Sequence, residues 1–355
     1  MNIERRKTSA VLVGRVGIGS DYPVSIQSMT NTDTRNAVAT VSQIIRLADA
    51  GCDIVRVAVP DQEAVEALRA IIASSPIPVI ADIHFDYQLA LKAIDHGIHG
   101  LRINPGNIGD EKRVKRLADA SKDAGIPIRI GVNSGSVEPE MLAKYCGINA
   151  NSLVESALKH VAILERHNFT DIKISIKASE VPLMIESYRN IAQKVSYPLH
   201  LGVTEAGTIH GGMIKSAVGI GTLLAEGIGD TIRVSLTGDP VPEIGVALHI
   251  LKSLHLRQGG IEIISCPTCG RCEINLEKIA LEVEKKTAHY KENIKIAIMG
   301  CVVNGPGEAR EADIGLAGGR DCGIIFRKGE VVRKVRGKEL IPEFMAELDR
   351  FLGLT

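Results

Sequence analysis

The sequence predicts an α/β fold in which a (β/α)8 TIM barrel precedes a small α+β domain. Short apolar runs alternate with amphipathic helical patterns over most of the chain, and this alternation stops near residue 258. Hydrophobic residues make up 45% of the 355 residues, whereas aromatic residues make up only 3%. Aliphatic chains of this kind typically build parallel sheets covered by helices.

Eight apolar runs predict the strands of the barrel. In chain order they are VSIQSM, CDIVRVAV, PVIADIH, HGLRIN, IPIRIGVN, DIKISIKA, PLHLGVT and DTIRVSL. Stretches between them, such as VATVSQIIRLADAG, carry apolar residues at helical spacing and end at a glycine. This alternation indicates parallel pairing, and eight units in about 240 residues have the size of a closed barrel. A doubly wound open sheet is the alternative. The preceding segment predicts a β-hairpin around Gly14.

The rhythm of the chain changes around LHLRQGG, so we place a barrel domain at residues 1–258 and a second domain at 259–355. A strand (IEIIS), a cysteine turn, a charged helix and a second strand (IKIAIMG) open the second domain. Further short strands and a last helix follow. The pattern predicts a small α+β domain.

Composition excludes several classes of function. Lys and Arg total 42, as do Asp and Glu, so the zero net charge gives no argument for nucleic-acid binding. No apolar run reaches the roughly 18 residues that span a bilayer, and no signal-peptide pattern follows the charged first residues. We expect a cytoplasmic protein with reduced thiols and no membrane or nucleic-acid partner.

Polar residues interrupt the apolar runs toward their carboxyl ends, where barrel enzymes place their active sites. Because side chains alternate with period two, the residues of each strand that share a face can be read from the sequence. They are Arg56, Asp82 with His84, Arg102 with Asn104, Arg129 with Asn133, Lys173 with Lys177, Glu205, and Arg233 with Ser235.

Cations outnumber carboxylates among these residues, since only Asp82 and Glu205 are acidic. An unpaired buried ion costs several kcal/mol, so a surplus of about three positive charges requires solvent or an anionic ligand. The planar fork of arginine suits phosphate oxygens. The sequence therefore predicts a phosphorylated substrate, although core ion pairs or surface charges are the alternative.

Three cysteines at two-residue spacing, Cys266, Cys269 and Cys272, indicate a metal or cluster site. A disulfide framework does not fit seven cysteines in a long chain of this kind. Structural zinc normally uses a second paired motif, and none follows. Cys301 opens the loop CVVNGPGEAR, and two strands bracketing a helix can bring it to the cysteine turn. Three thiolates with a different fourth ligand fit a catalytic cluster. Glu308 is the oxygen candidate, and Cys272 competes with it.

These motifs resemble the 4-hydroxy-3-methylbut-2-en-1-yl diphosphate synthase family, the iron–sulfur enzymes of the methylerythritol phosphate route to isoprenoids. CPTC followed by GCVVNGPGEA carries the resemblance. So do IQSMTNTDT, RVAVP, ADIHF, LRINPGN, IRIGVNSGS, SIKAS, LGVTEAG and IRVSLTGDP. The chain is similar to the two-domain bacterial form, in which the small domain follows the barrel directly.

The resemblance implies a [4Fe–4S] cluster held by Cys266, Cys269, Cys301 and Glu308. It implies reductive ring opening of 2-C-methyl-D-erythritol 2,4-cyclodiphosphate, with two electrons from flavodoxin or ferredoxin. It also implies a homodimer in which the cluster domain of one subunit closes the barrel of the other. Cys272 departs from the family pattern, which requires no cysteine there.

The residues and the resemblance together assign roles to the strand-end side chains. Arg56, Arg102, Arg129 and Lys177 would bind the diphosphate, assisted by Arg233 and Ser235. Asn104 and Asn133 would orient the substrate hydroxyls, and Glu205 would donate a proton.

Two other classes of function remain open from the sequence. One is a non-redox barrel enzyme that acts on a phosphorylated or pterin substrate and holds structural zinc. The other is a zinc-ribbon module that binds nucleic acid, against which the neutral charge and scarce aromatic residues both count.

Overall fold

The computed structural model describes residues 3–301, 307, 309–320 and 322–354. The chain divides into two compact units, Met1–Arg257 and Gln258–Thr355. The first unit contains a β-hairpin and eight parallel strands, and the second contains a five-stranded sheet. The structure confirms the predicted (β/α)8 barrel followed by a small α+β domain.

The first unit begins with the hairpin and continues with the barrel strands. The hairpin strands are β1 (Val11–Val13) and β2 (Val16–Ile18), and the barrel strands are β3 (Ser25–Met29), β4 (Ile54–Ala58), β5 (Val79–Asp82), β6 (Leu101–Ile103), β7 (Ile128–Asn133), β8 (Ile172–Lys177), β9 (His200–Leu201) and β10 (Thr231–Ile232). The strand order is β8-β7-β6-β5-β4-β3-β10-β9, and each predicted apolar run contains one strand.

Helices cover the outside of the barrel. They are α1 (Ala37–Asp49), α2 (Gln62–Ser74), α3 (Tyr87–Asp95), α4 (Pro105–Ile108), α5 (Glu111–Asp123), α6 (Pro139–Lys144), α7 (Ala150–Glu165), α8 (Val181–Ala192), α9 (Ile209–Ala225) and α10 (Val241–Ser253). Capping side chains fix where several begin. Asp61 accepts the backbone N–H of Ala64 at the start of α2, and Asn149 forms a capping box with Ser152 at α7.

The alternation of side chains along β8 shows how the barrel is filled. Ile172, Ile174 and Ile176 belong to the large apolar core of the first unit. Lys173, Ser175 and Lys177 occupy the alternate positions and are also buried. Because successive residues of a strand point to opposite faces, the three polar side chains face the barrel axis. The interior of this barrel is therefore partly polar.

The hairpin closes the end of the barrel at which the strands begin. Val11, Val13 and Ile18 pack in one cluster with Ile54 and Ile80, which lie near the starts of β4 and β5. The turn of the hairpin is at Gly14, as predicted, whose φ of 56° lies in the left-handed region that glycine adopts most easily.

The β8–β9 seam depends on a side chain as well as on backbone pairing. Among the described residues, one isolated bridge connects Ile174 of β8 to Leu199, which directly precedes β9. The buried Tyr188 hydroxyl, from α8, accepts the N–H of Ile176 and donates to the carbonyl of His200. It thus satisfies one backbone group on each strand where the ladder does not continue.

The second unit is a mixed sheet with helices on one face. Its strands are β11 (Ile261–Ser265), β12 (Ile294–Met299), β13 (Ile314–Gly318), β14 (Cys322–Arg327) and β15 (Glu330–Arg336), and its helices include α11 (Leu276–Thr287) and α12 (Leu340–Leu352). The strands lie in sequence order, and β11, β12 and β13 are parallel. Leu276, Val283, Phe344 and Leu348 from the two helices share one apolar core with the sheet.

Among the helices in the described part of the chain, none is both long and apolar enough to cross a bilayer.

Replacing Tyr188 by Phe should destabilise the first unit. The change removes a buried hydroxyl and leaves a donor and an acceptor unsatisfied, so the free energy of unfolding should fall by about 1–3 kcal/mol. Urea unfolding followed by circular dichroism measures it. Tyr197→Phe is the matched control, because the Tyr197 hydroxyl donates to the side chain of Glu165 at 2.8 Å in a less buried position. Equal losses in both variants would contradict the seam assignment.

Candidate active site

A polar pocket of about 130 Å³ lies at the carboxyl ends of the barrel strands. Its lining comes from five of the eight barrel strands and from residues that follow β5, β9 and β10: Arg56, Asp82, His84, Arg102, Arg129, Asn133, Lys177, Thr204, Arg233 and Ser235. The volume suits a phosphate-sized group, since pockets for whole drug-sized ligands hold about 300–1,000 Å³. The structure thus brings together seven of the nine barrel residues predicted as catalytic or substrate-binding.

Asp82 is the carboxylate at the centre of the pocket lining. Its Oδ2 lies 3.6 Å from Arg56 Nε, and its Oδ1 lies 3.3 Å from Arg102 Nη1. His84 Nε2 lies 3.9 Å from the same Oδ1. Four arginines and one lysine line the pocket with this single carboxylate. The charge surplus predicted from the sequence is therefore present at the pocket.

Three of the pocket guanidiniums also contact neutral groups, which leave their charge in place. Arg56 Nη2 lies 2.9 Å from the sulfur of Met29, and Arg233 Nη1 lies 3.7 Å from the same atom. Arg129 Nη1 donates to the hydroxyl of Ser175. Because thioethers and hydroxyls are weak acceptors, these contacts orient the arginines without cancelling their charge.

The backbone of Gly131, on the neighbouring strand β7, helps to position the side chain of Arg102. Its carbonyl accepts Arg102 Nη2 at 2.9 Å, and its N–H donates to Asn104 Oδ1 at 3.0 Å. A Cβ at this position would lie 2.6 Å from Arg102 Nε. A larger residue at this position would therefore force the guanidinium of Arg102 to move.

Burial and mutual repulsion change the acidity of the pocket groups. Burial, opposed by Asp82, lowers the pKa of Arg56 to about 9. Burial and the neighbouring Arg233 lower the pKa of Lys177 well below its ordinary value. Burial alone would raise the pKa of Asp82, but Arg56, Arg102 and Arg129 hold it below its usual range. An anion in the pocket would reverse part of this strain on the cations.

Two predicted residues lie outside the pocket lining. Asn104 is buried and uses its amide oxygen on Gly131, so its place in the structure is a link between β6 and β7. Glu205 is exposed and follows the pocket residue Thr204, with a φ of 51°. The expectations that Asn104 orients substrate and Glu205 donates a proton stay predictions.

Thr204 and Met29 were not predicted as site residues, and Asp82 and His84 were placed at strand ends without an assigned role. Period two along β9 places Thr204 on the face of His200 and Gly202, so the strand pattern contained the signal for Thr204. Nothing local distinguishes Met29 from a core methionine. Its role depends on two arginines from other strands.

In the second unit, two of the predicted cluster ligands lie at one end of the small sheet. Cys266 and Cys301 follow the adjacent parallel strands β11 and β12, which pair Ser265 with Ile298. The sulfur of Cys266 accepts the N–H of Gly300 at 3.3 Å. Within the described residues, Cys266 and Cys301 therefore follow neighbouring strands at one sheet end, and their role as cluster ligands stays a prediction.

The thiols at this sheet end fit the chemistry of an iron–sulfur cluster. Cys269 is exposed, and the backbone N–H of Arg271 lowers the pKa of its thiol, which favours the thiolate that binds iron. N–H donation to sulfur, as at Cys266, is usual around such clusters. Within residues 3–301, 307, 309–320 and 322–354, no three ligating side chains already converge on one point. Glu308, the predicted fourth ligand, lies outside the described residues.

Cys272 turns toward the interior of its own unit. Its thiol donates to the carbonyl of Ile274 at 3.3 Å and packs against the apolar core beneath the helices. A Cβ on Gly300 would lie 2.6 Å from its sulfur, so the two residues are in close contact.

Comparison with known proteins agrees with this arrangement. A family model for the GcpE TIM-barrel domain matches residues 8–248, and one for the GcpE protein C-terminal domain matches residues 262–350. The dihydropteroate synthase of Yersinia pestis, solved in complex with a sulfonamide drug, covers 70% of this chain and 100% of its own at a TM-score of 0.51. At 9% identity, that likeness shows the barrel fold alone.

Named relatives extend over both units. The chain is 60% identical over 346 residues to the 4-hydroxy-3-methylbut-2-en-1-yl diphosphate synthase (flavodoxin) of Clostridium tetani, covering 98% of this chain and 99% of that protein. It is 59% identical over 349 residues to the protein of the same name from Geobacter sulfurreducens, at 98% and 99% coverage. The chain therefore belongs to the GcpE family of 4-hydroxy-3-methylbut-2-en-1-yl diphosphate synthases and is an oxidoreductase of isoprenoid biosynthesis.

Proposed function

We propose that this enzyme converts 2-C-methyl-D-erythritol 2,4-cyclodiphosphate to 4-hydroxy-3-methylbut-2-enyl diphosphate by reductive ring opening and dehydration. The observation that carries the proposal is the barrel pocket, in which five cationic side chains face one carboxylate. A buried surplus of this kind is stabilised by an anion, and arginine forks match phosphate oxygens. The names of the relatives supply the product.

The reaction consumes two electrons and two protons and releases one oxygen of the substrate as water. A [4Fe–4S] cluster, when bound, supplies the electrons, and Cys266, Cys269, Cys301 and Glu308 would hold it. The relatives' names point to flavodoxin as the donor to this cluster, with ferredoxin as the alternative. We further propose a cytoplasmic homodimer, on the basis of the family resemblance.

The side chains of the pocket would bind and orient the cyclic diphosphate. Arg56, Arg102, Arg129 and Lys177 are all buried, so the charges they carry are screened less by water when phosphate oxygens displace it. Arg233 and Ser235 lie on the same rim and would add donors. Asn133 also lines the pocket and is suited to a substrate hydroxyl.

Glu205 would hold the proton that the departing oxygen or the reduced carbon requires. It follows Thr204, whose side chain lines the pocket, and its left-handed backbone is unusual for a glutamate. Such strain costs about 1–3 kcal/mol and concentrates at functional sites.

The decisive experiment is iron and sulfide analysis of anaerobically purified protein, coupled to a turnover assay with the cyclic diphosphate. Brown protein with about four iron and four sulfide per chain that forms the expected product supports the proposal. Colourless protein containing zinc would favour the non-redox barrel enzyme instead.

Neutralising one pocket arginine, by Arg56→Ala or Arg129→Ala, should weaken binding of the cyclic diphosphate while the iron content stays unchanged. A charge-assisted hydrogen bond contributes about 1.5–3 kcal/mol, so Kd should rise about tenfold or more. Isothermal titration measures it. Arg189→Ala is the control, since Arg189 is exposed and paired with Glu226 on the outside of the barrel. An unchanged Kd in both pocket variants would remove those residues from the site.

Glu205→Gln should keep substrate affinity and iron content but lower kcat by about 10²–10⁴-fold, the usual contribution of a positioned acid. The amide is nearly isosteric and holds no carboxylic proton. Glu226→Gln, on the surface at the end of α9, is the matched control. Wild-type kcat in Glu205→Gln would assign the proton to another donor, and His84 is next in position.

Cys272→Ser should retain both iron and activity, whereas Cys301→Ala should lose the cluster and Glu308→Ala should lose activity. The thiol of Cys272 is directed to Ile274 and Gly300. A carboxylate is a harder and weaker partner for iron than a thiolate, so an oxygen ligand at the fourth position would be exchanged more readily. Iron analysis and visible spectra of the three variants check this. Loss of iron in Cys272→Ser, with Glu308→Ala still active, would reverse the assignment.

A further inference from the structure

A second polar layer lies inside the barrel beneath the pocket. Strand register places Lys173 of β8 beside Arg129 of β7, with both side chains on the interior face. On β9, His200 pairs with Thr231 of β10, which in turn pairs with Ser25 of β3. Lys173, His200 and Thr231 do not line the pocket. Each is at most 1% exposed.

Lys173 has no acceptor for its protons among the described residues. Its Nζ is buried without a hydrogen-bond partner, as are both ring nitrogens of His200 and both amide atoms of Gln27. The carboxylate of Asp230 contributes negative charge at Lys173. Its oxygens already accept hydrogen bonds from Arg5, Thr8 and the N–H of Leu199. A buried ammonium with three unused donors is costly.

The charged groups around Lys173 are mostly cationic. Arg129 on β7 repels a proton on Nζ, Asp230 attracts it, and Arg56 on β4 repels it to a smaller extent. Lys177 lies further along the same strand, and His200 faces the same interior from β9. Burial and then Arg129 lower the pKa of Lys173 well below its ordinary value. Burial and Arg129 likewise lower the pKa of His200. Burial, the neighbouring cations and the missing hydrogen-bond partners thus all favour the neutral form of both groups.

We propose that Lys173 takes up one proton from solvent when an anion binds the pocket above it, and releases that proton when the anion leaves. The lone pair of Nζ forms the new N–H bond, and no electrons are transferred. Lys173 is a positioning residue, because it acts on the ligand through the field shared with Arg129 rather than by contact. The proposal requires only that the pocket binds an anion, and it is independent of the reaction proposed for the enzyme.

Charge balance explains why the proton follows the anion. Without a ligand, the charges of Arg56 and Arg129 oppose protonation of the neighbouring amine. Negative charge in the pocket offsets those arginines, so the same amine becomes more basic in the complex. At pH values between the pKa of Lys173 in the free protein and its pKa in the complex, the complex therefore holds one more proton than the free protein.

The sign of the pH dependence follows from this difference. Within that window, raising the pH removes a proton that the complex requires, so anion affinity should fall by up to about tenfold per pH unit. Below the pKa of the free state, Lys173 is protonated with or without ligand, and the dependence should vanish. Replacing the amine should remove the part of the dependence that Lys173 contributes without abolishing binding, because the pocket cations remain.

The test is isothermal titration of the full-length protein with sulfate, a dianion that does not itself titrate near neutral pH. Titrations in buffers of different ionisation heat, from pH 7 to 9, give the number of protons taken up per sulfate. We expect the wild type to take up as much as one proton per sulfate more than Lys173→Met, whose side chain has nearly the same length. Lys177→Met is the matched control on the same strand face, because the pKa of Lys177 is also lowered and its own uptake must be separated from that of Lys173. It should weaken sulfate binding, and the share of the uptake that depends on Lys173 should persist.

Three results would overturn the proposal. They are zero uptake by the wild type, which needs no variant, unchanged uptake in Lys173→Met, and absence of sulfate binding to the wild type. Loss of uptake in His200→Gln with full uptake in Lys173→Met would move the proton to the histidine and also contradict it. None of these measurements involves turnover, so failure of the proposed reaction would leave them unaffected.

Discussion

Asp82 and the guanidiniums around it form the interaction on which the barrel site depends. One carboxylate contacts Arg56 and Arg102 and lies within the field of Arg129, so it cannot neutralise the cations it gathers. The remaining charge is held by weak acceptors, among them the sulfur of Met29. Since an unpaired buried ion costs several kcal/mol, the empty pocket is electrostatically strained. An anion would relieve that strain, so the phosphate binding that we propose would depend on the whole interior rather than on one contact.

The fold tolerates this interior because its apolar burial lies elsewhere. Barrel interiors are usually filled by branched apolar side chains, which here remain mainly near the hairpin end, where Ile54 and Ile80 pack. The outward strand face instead provides the core, as with Ile172, Ile174 and Ile176 against the helices. The free energy gained by burying apolar side chains is proportional to the area buried and does not depend on which layer of the barrel contributes that area. A continuous shell between strands and helices therefore leaves the axis available for charge.

Strand periodicity made much of the barrel predictable. A cation inside an apolar run is conspicuous, and the alternation of side chains along a strand fixes the face on which it lies. This pattern identified Arg56, Arg102, Arg129 and Lys177. Contacts that depend on register were not predictable. The adjacency of Lys173 to Arg129, the shared use of Met29 by two arginines and the closure of the seam by Tyr188 all join distant segments. Asn104 illustrates the same limit, because its amide, expected to face substrate, is used by Gly131 of the next strand.

The two units place chemistry at the carboxyl ends of parallel strands but in different ways. In the barrel, most functional side chains belong to strands or directly follow them, so neighbouring ladders fix them before any ligand arrives. In the small domain, Cys266 is anchored by Gly300, whereas Cys269 is exposed on a turn. Thiolates on turns acquire their final geometry from the metal they bind, and metal binding then contributes to folding. In the function that we propose, diphosphate recognition would therefore depend on preorganised charge, whereas assembly of the cluster site would depend on the iron itself.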